Sequence, residues 1–320
     1  MPKTRRTAFY QRSARWGLPL LGLLIFAGSL WAIYLQLKRH PFQEVISSLE
    51  AISRDRIFTA IVLTILSYLV LTVYDVLACR YIRHPLAASK AILAAFLGHA
   101  ISNSTGFALL TGSVVRYRLY AAWGLSPVEI AQVVAFSNIS FWLGLFAVGG
   151  VVFLVEPLAI PTLLHLPFAS ARSLGVIFLV LVSGYMAGSV WLKRPLRIRQ
   201  WAISFPSLWF ALAQLVIASL DWVLAGAVLY VLLQPTVTLS YSSFFGIYLL
   251  GQLAGFVSNV PGGLGVFEGF VLWFLSANFP VADIFGALLV YRTVYYLLPL
   301  AIALVILGCY EVYQRVKLSR

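Results

Sequence analysis

The chain has 320 residues, of which 61% are apolar and only 10% charged, with a formal net charge of +13. Soluble domains are about half apolar and about a quarter charged, so an ordinary globular enzyme, a disordered segment and a nucleic-acid binder are all excluded. In so apolar a chain, the excess of 23 Lys+Arg over 10 Asp+Glu fits the basic bias of cytoplasmic loops in an integral membrane protein.

About 20 apolar residues carry a helix across the hydrocarbon layer. Six stretches meet that length: 17–37, 57–79, 128–155, 173–192, 207–233 and 282–311. A basic leader over residues 1–16, with charges from Lys3 to Arg15, precedes the first. The apolar run after it is too long for a cleaved signal peptide and lacks a small-x-small cleavage site, so a signal anchor is expected. Between the first two spans, Phe42, Val45, Ile46, Leu49 and Ile52 recur at helical spacing, as in a short amphipathic helix on the membrane surface.

Two further apolar stretches, about 91–112 and 242–278, contain breaks. The first is interrupted by Ser102-Asn103-Ser104-Thr105-Gly106, the second by Ser258-Asn259-Val260-Pro261-Gly262-Gly263-Leu264-Gly265. Proline and clustered glycines interrupt helices. Such backbone is tolerated at membrane depth only under protein or beside a water-filled cavity. Kinked spans and hairpins that enter and leave on one side both fit this pattern. The basic residues separate the two. With hairpins over about 91–120 and 242–278 and a cytoplasmic N-terminus, the great majority of Lys and Arg lie inside, whereas two full crossings would divide them almost evenly. The positive-inside rule therefore favours hairpins, with the leader and the tail at 315–320 both cytoplasmic.

The two halves echo one another. Asp75-Val76-Leu77-Ala78 is matched by Asp221-Trp222-Val223-Leu224-Ala225, Ser102-Asn103 with Gly106 by Ser258-Asn259 with Gly262, and Pro127-Val128 by Pro280-Val281. The expected fold is an all-α polytopic bundle of about six spans and two hairpins, with a first membrane repeat over 17–155 and a second, inverted one over 173–314. Interrupted segments at matching places of inverted repeats point to a binding site at the midplane of a transporter. Packing kinks in a passive bundle are the plainer alternative.

Candidate residues follow from the breaks and from charges at membrane depth. Asn103 and the run Asn259, Pro261, Gly262, Gly263 and Gly265 mark the interruptions. The glycine run lacks the Lys-Ser/Thr of a nucleotide loop. Its free N–H groups, at the start of a half-helix, suit an anion such as a lipid phosphate. Glu268 follows the break, and Arg292 stands about ten residues, or ~15 Å, into the last span. They are either a binding pair, with Arg292 on the phosphate and Glu268 balancing it, or a buried ion pair that holds the bundle. In the first half the position matching Arg292 is near Asn138 and that matching Glu268 is near Gly112, so a charge pair is expected in the second half alone. Asp221 lies well inside its span, whereas Asp75 sits near a cytoplasmic end beside Arg80. Arg116 and Arg118 are basic interfacial anchors or phosphate ligands, and His99 is expected as a hydrogen-bonded core histidine. Cys79 and Cys309 lie in apolar runs and offer no disulfide framework. No His or Cys pair has metal spacing, no Ser/His/Asp set points to hydrolysis, and no cofactor is expected.

Val260-Pro261-Gly262-Gly263-Leu264-Gly265-Val266-Phe267-Glu268, then Leu289-Val290-Tyr291-Arg292-Thr293-Val294-Tyr295-Tyr296-Leu297-Leu298-Pro299, resembles the membrane region of lysylphosphatidylglycerol synthases. Asp221-Trp222 with Val228-Leu229-Tyr230-Val231-Leu232-Leu233 resembles the same family. Members of that family join a membrane flippase region to a soluble domain that transfers an amino acid from tRNA to phosphatidylglycerol. The resemblance implies a flippase for an aminoacylated or anionic phospholipid in the bacterial inner membrane, with Tyr291 and Arg292 in its motif. Because this chain ends at Arg320, the transferase domain is expected to be absent and the chain to be no enzyme itself. A membrane lipid and a separately encoded lipid synthase are the expected partners, and nucleic acid is not one. The alternative role is an accessory platform for such a synthase.

Overall fold

The computed structural model describes residue 31 and residues 42–105, 108–158, 170–192, 196–198, 201–203, 205–234, 236–258 and 260–318. In chain order it contains α1 (Phe42–Ala51), α2 (Arg54–Tyr81), α3 (Ala88–Thr105), α4 (Ala108–Ala122), α5 (Pro127–Val155), α6 (Ala171–Trp191), β1 (Leu196–Ile198), β2 (Trp201–Ile203), α7 (Leu208–Leu233), α8 (Tyr241–Val257), α9 (Val266–Leu275), α10 (Val281–Tyr291) and α11 (Leu298–Leu318). A 3₁₀ turn at Pro261–Gly263 precedes α9, and a π-helical segment at Arg292–Leu297 joins α10 to α11. The architecture is the expected all-α membrane bundle. Among the described residues, the one departure is a small antiparallel hairpin pairing Leu196 with Ile203.

Five helices are long and apolar enough to cross a membrane: Arg54–Tyr81, Pro127–Val155, Ala171–Trp191, Leu208–Leu233 and the continuous Val281–Val312. They coincide with five of the six predicted spans. The sixth, 17–37, and the leader lie outside the described residues apart from helical Trp31. Large apolar side chains such as Phe58, Leu69, Val180, Trp209 and Val305 point outward, as lipid-facing surfaces do. The Pro-Val pairs matched between the halves both open spans. At α5, Pro127 follows Ser126, whose hydroxyl accepts the Glu129 N–H at 3.3 Å while the Glu129 carboxylate accepts the Ser126 N–H at 2.8 Å. This capping box satisfies donors that the first helical turn leaves unpaired. Pro280 stands one place earlier, at the N-cap of α10, with no side-chain cap.

Each interrupted stretch is a pair of short antiparallel helices. In the first, Gly98 of α3 lies against Arg116 of α4, and Ser102 lies against Gly112. In the second, Gly255 of α8 abuts Gly263, and Gly251 faces Phe267 and Phe270 of α9. The predicted amphipathic helix exists as α1, and it is not free on a surface. It packs on α10, where Ser48 fills the place of a missing side chain at Gly286. At the centre of the bundle, α2 packs most extensively with α7, and α5 packs on both.

Candidate functional site

The two breaks meet. A side chain added at Gly262 would begin 3.2 Å from the Ser104 carbonyl at the tip of the first hairpin. Gly262, Gly263 and Gly265 have φ of 63°, 61° and 81°, values that glycine adopts without penalty and other residues rarely do. The chain thereby reverses between α8 and α9 within a few residues. Beside this junction lies a cleft of about 990 Å³, counting its open part, lined from both halves of the chain. His99 and Asn103 of α3, Arg116 of α4, Asp221 of α7, Gly262 and Tyr296 are among its walls.

The second-half charges do face each other. The Arg292 Nε donates to Glu268 Oε1 in a short contact, and its Nη1 donates to the Gly262 carbonyl at 2.8 Å. The other Glu268 oxygen accepts the Gly265 N–H at 2.8 Å. One ion pair thus ties both ends of the glycine break to the last span. The guanidinium carbon also lies 4.5 Å from the Tyr296 ring centroid, close enough for a cation–π contact. The π-helical segment places Arg292, Tyr295 and Tyr296 at this spot; such segments often mark functional sites.

The expectation of a charge pair in one half alone is overturned. Asp75 is completely buried and accepts from Arg116 Nε at 2.9 Å, Tyr120 Oη at 2.7 Å and Ser137 Oγ at 2.6 Å. Arg116 is 3% exposed and is no interfacial anchor. The partner offered by the sequence, Arg80, is the wrong one, because Arg80 is exposed. Helical geometry separates the two candidate arginines: two residues on, Arg118 points to the opposite side and pairs with Glu311 of α11.

Asp221, 3% exposed, is held by hydroxyls. Ser67 donates to Oδ1 at 2.9 Å and Tyr74 to Oδ2 at 3.1 Å. Tyr291 is buried, shares a hydroxyl hydrogen bond of 3.0 Å with Tyr248 and stacks on Tyr295 at 5.4 Å. Among the described residues, Asn103 donates to the Tyr68 hydroxyl at a long 3.5 Å. Asn259 and the Pro261 side chain lie outside the described residues. His99 is buried as expected, yet its Nε2 has no hydrogen-bond partner among the described residues. Arg116 Nη2 and Arg292 Nη2 are likewise buried and unpartnered. Buried donors of this kind are normally satisfied; of these three side chains, His99 and Arg116 line the cleft and Arg292 does not. Among the described residues, no three His, Cys, Asp or Glu are grouped to hold a metal.

The site therefore joins Asn103, Arg116, Asp221, Gly262 and Gly263 around one cleft, with Gly265, Glu268, Tyr291 and Arg292 packed behind it. Arg118 is elsewhere. Tyr248, Gln252, Tyr295, Tyr296, Asn138 and Trp222 also line the cleft, and the sequence does not single them out as site residues. Asn138, at the position matching Arg292 in the first half, is the one for which the repeat gives a signal.

Known proteins share this layout in sequence. The uncharacterized protein slr0712 of Synechocystis is 45% identical, covering 92% of this chain and 91% of its own. The inner membrane protein YbhN of Escherichia coli is 31% identical over 92% of each chain. The phosphatidylglycerol lysyltransferase of Staphylococcus aureus strain MRSA252 is 25% identical over 86% of this chain but only 32% of its own length. The shared portion is a membrane region, and residues 20–303 match the lysylphosphatidylglycerol synthase TM region, so the chain belongs to that family.

Proposed function

We propose that this protein is a lipid flippase that carries the headgroup of an anionic or aminoacylated phospholipid across the membrane, and is itself no enzyme. The observation that carries this reading is the cleft at the junction of the two broken hairpins, with the buried, unpartnered Arg116 Nη2 on its wall. A guanidinium offers a planar fork that suits a phosphate. Arg116 uses Nε on Asp75 and keeps Nη2 for such a group. Arg292 lies behind Gly262, but Glu268 neutralises it and takes the Gly265 N–H at the start of α9, so the free donor on Arg116 carries the reading. The lysyltransferase relatives suggest lysyl-phosphatidylglycerol as one such lipid.

The purified chain in vesicles holding a fluorescent phosphatidylglycerol is expected to make lipid of the inner leaflet reachable by an impermeant quencher. Arg116→Lys keeps a cation beside Asp75 but removes the fork. It is expected to stay folded and to slow translocation by roughly ten- to a hundredfold, matching the loss of one charge-assisted hydrogen bond of about 1.5–3 kcal/mol. Lipid that stays in its leaflet with the wild-type chain would defeat the reading. A second reading, a platform for a separately encoded lipid synthase, is favoured by the lysyltransferase relative, of which this chain covers only 32%.

The proposed setting is the bacterial inner membrane, with both termini in the cytoplasm. In a background lacking Cys79 and Cys309, single cysteines at position 117, whose tyrosine is exposed, and at position 197 are expected to label from the cytoplasm only. A cysteine at 165 is expected to label from outside only. External labelling at 117 would overturn the first hairpin as a re-entrant element and, with it, the inverted repeat.

A further inference from the structure

Four carboxylates are buried among the described residues: Asp75, Asp221, Glu268 and Glu311. Three are paired with an arginine: Asp75 with Arg116, Glu268 with Arg292 and Glu311 with Arg118. Asp221 is the exception, although it sits in the middle of a span and on the wall of the cleft. Its donors are two neutral hydroxyls, Ser67 and Tyr74.

The chemistry of those donors decides what Asp221 can bind. A guanidinium has donors and no acceptor, so an arginine shell fits a carboxylate in its anionic form alone. A hydroxyl both donates and accepts, and its hydrogen rotates. The Ser67 and Tyr74 hydroxyls can therefore donate to the anion or accept from the acid without any heavy atom moving. Ser67 Oγ also lies 3.1 Å from the Tyr295 hydroxyl, and Tyr295 lines the cleft. With Ser67 donating to Asp221, Tyr295 donates to Ser67, which makes a continuous hydroxyl chain from the cleft wall to Oδ1. Carboxylates at membrane depth recur in proton relays, and a hydroxyl that donates while it accepts can extend one.

We propose that Asp221 is a proton-binding site that opens on the cleft. It takes its proton from water there, directly or along Tyr295 and Ser67, and returns it the same way. The binding stands whether or not lipid moves. Its use as the coupling ion for transport rests on the flippase reading. The other ionisable groups around it are Tyr68 on the same helix as Tyr74, His99 of α3, Arg116 of α4, Tyr248 of α8, and Tyr295 and Tyr296 of the π segment. From α5 come Ser137, Asn138 and Phe141, which do not titrate. Tyr291 of α10 stacks behind Tyr295, and Tyr185 of α6 is bonded to Gln214 further along α7. His99 is the one neighbour whose ordinary titration overlaps the neutral range, so it needs its own control.

The test uses the full chain in phosphatidylethanolamine–phosphatidylglycerol vesicles and records infrared difference spectra as the medium is taken from about pH 9 to about pH 5. A carboxylic-acid carbonyl band is expected to appear on acidification, to be lost in Asp221→Asn and to persist in His99→Gln. If Asp221→Asn does not fold, Asp221→Glu decides, because it keeps a carboxyl among the same hydroxyls and should move the band to a new frequency. A band unchanged in the folded Asn or Glu variant, or no band in the wild type, overturns the site. In the same vesicles a pH gradient is expected to change the rate of lipid movement in the wild type and not in Asp221→Asn. Movement indifferent to the gradient overturns the coupling. Absence of any lipid movement defeats the flippase reading instead, and the infrared band still decides the proton site.

Discussion

Neutralising either member of the Glu268–Arg292 pair is expected to destabilise the protein and abolish translocation, while neutralising both restores stability and not activity. Arg292→Gln leaves Glu268 as an uncompensated charge that still holds the Gly265 N–H. Glu268→Gln leaves the arginine with the Gly262 carbonyl and the Tyr296 face. Breaking a buried pair from one side costs about 3–5 kcal/mol, whereas removing both charges is often neutral or stabilising. A lone charge near the bilayer centre costs roughly 2.5–3.5 kcal/mol on insertion scales, which acts in the same direction. The thermal midpoint of each single variant should therefore fall and that of the double variant should return. In the double variant, the glutamine replacing Glu268 can still accept from the Gly265 N–H. The glutamine replacing Arg292 is too short to span from the last membrane helix to the Gly262 carbonyl. The break then loses its tie to the last span. Full translocation by the double variant would reduce the pair to scaffolding.

The second-half pair was legible in the sequence because both residues stand out against apolar neighbours at membrane depth. The first-half pair was not. Asp75 and Arg116 lie 41 residues apart on different helices, and each had a nearer explanation: Arg80 for the aspartate, the membrane interface for the arginine. Periodicity cannot choose between partners that only tertiary packing brings together. The spans were legible for the opposite reason, since length and apolarity alone decide them. Tyr248, Tyr295 and Tyr296 were hidden because aromatic residues are ordinary in so apolar a chain. The π-helical turn was hidden because Arg292-Thr293-Val294-Tyr295-Tyr296-Leu297 contains neither Pro nor Gly to announce it. The depth of Asp221 in its span is legible, but its hydroxyl shell comes from α2, far away in sequence, and so could not be read.

The glycine break was the most legible feature, and the structure makes its test quantitative. Replacing Gly262 and Gly263 together by leucine should leave insertion intact, since apolarity rises, while abolishing translocation and lowering the thermal midpoint. Two costs combine. At φ of 63° and 61°, a residue with a Cβ is strained by about 1–3 kcal/mol at each position. The new Cβ atoms would also stand 3.2 Å from the Ser104 carbonyl and 3.3 Å from the Gly255 Cα. Both neighbours are backbone: the first contact pushes the two hairpin tips apart, and the second pushes α8 away from the break inside its own hairpin. Gly269→Ala is the matched control: it lies on α9 with nothing within 4 Å of an added Cβ. There alanine should be silent or stabilise the helix by roughly 0.5–1 kcal/mol. Normal translocation by the double leucine variant would leave the break as a packing kink, because a headgroup site at this junction has to lose both its close backbone approach and its open space to two leucine side chains.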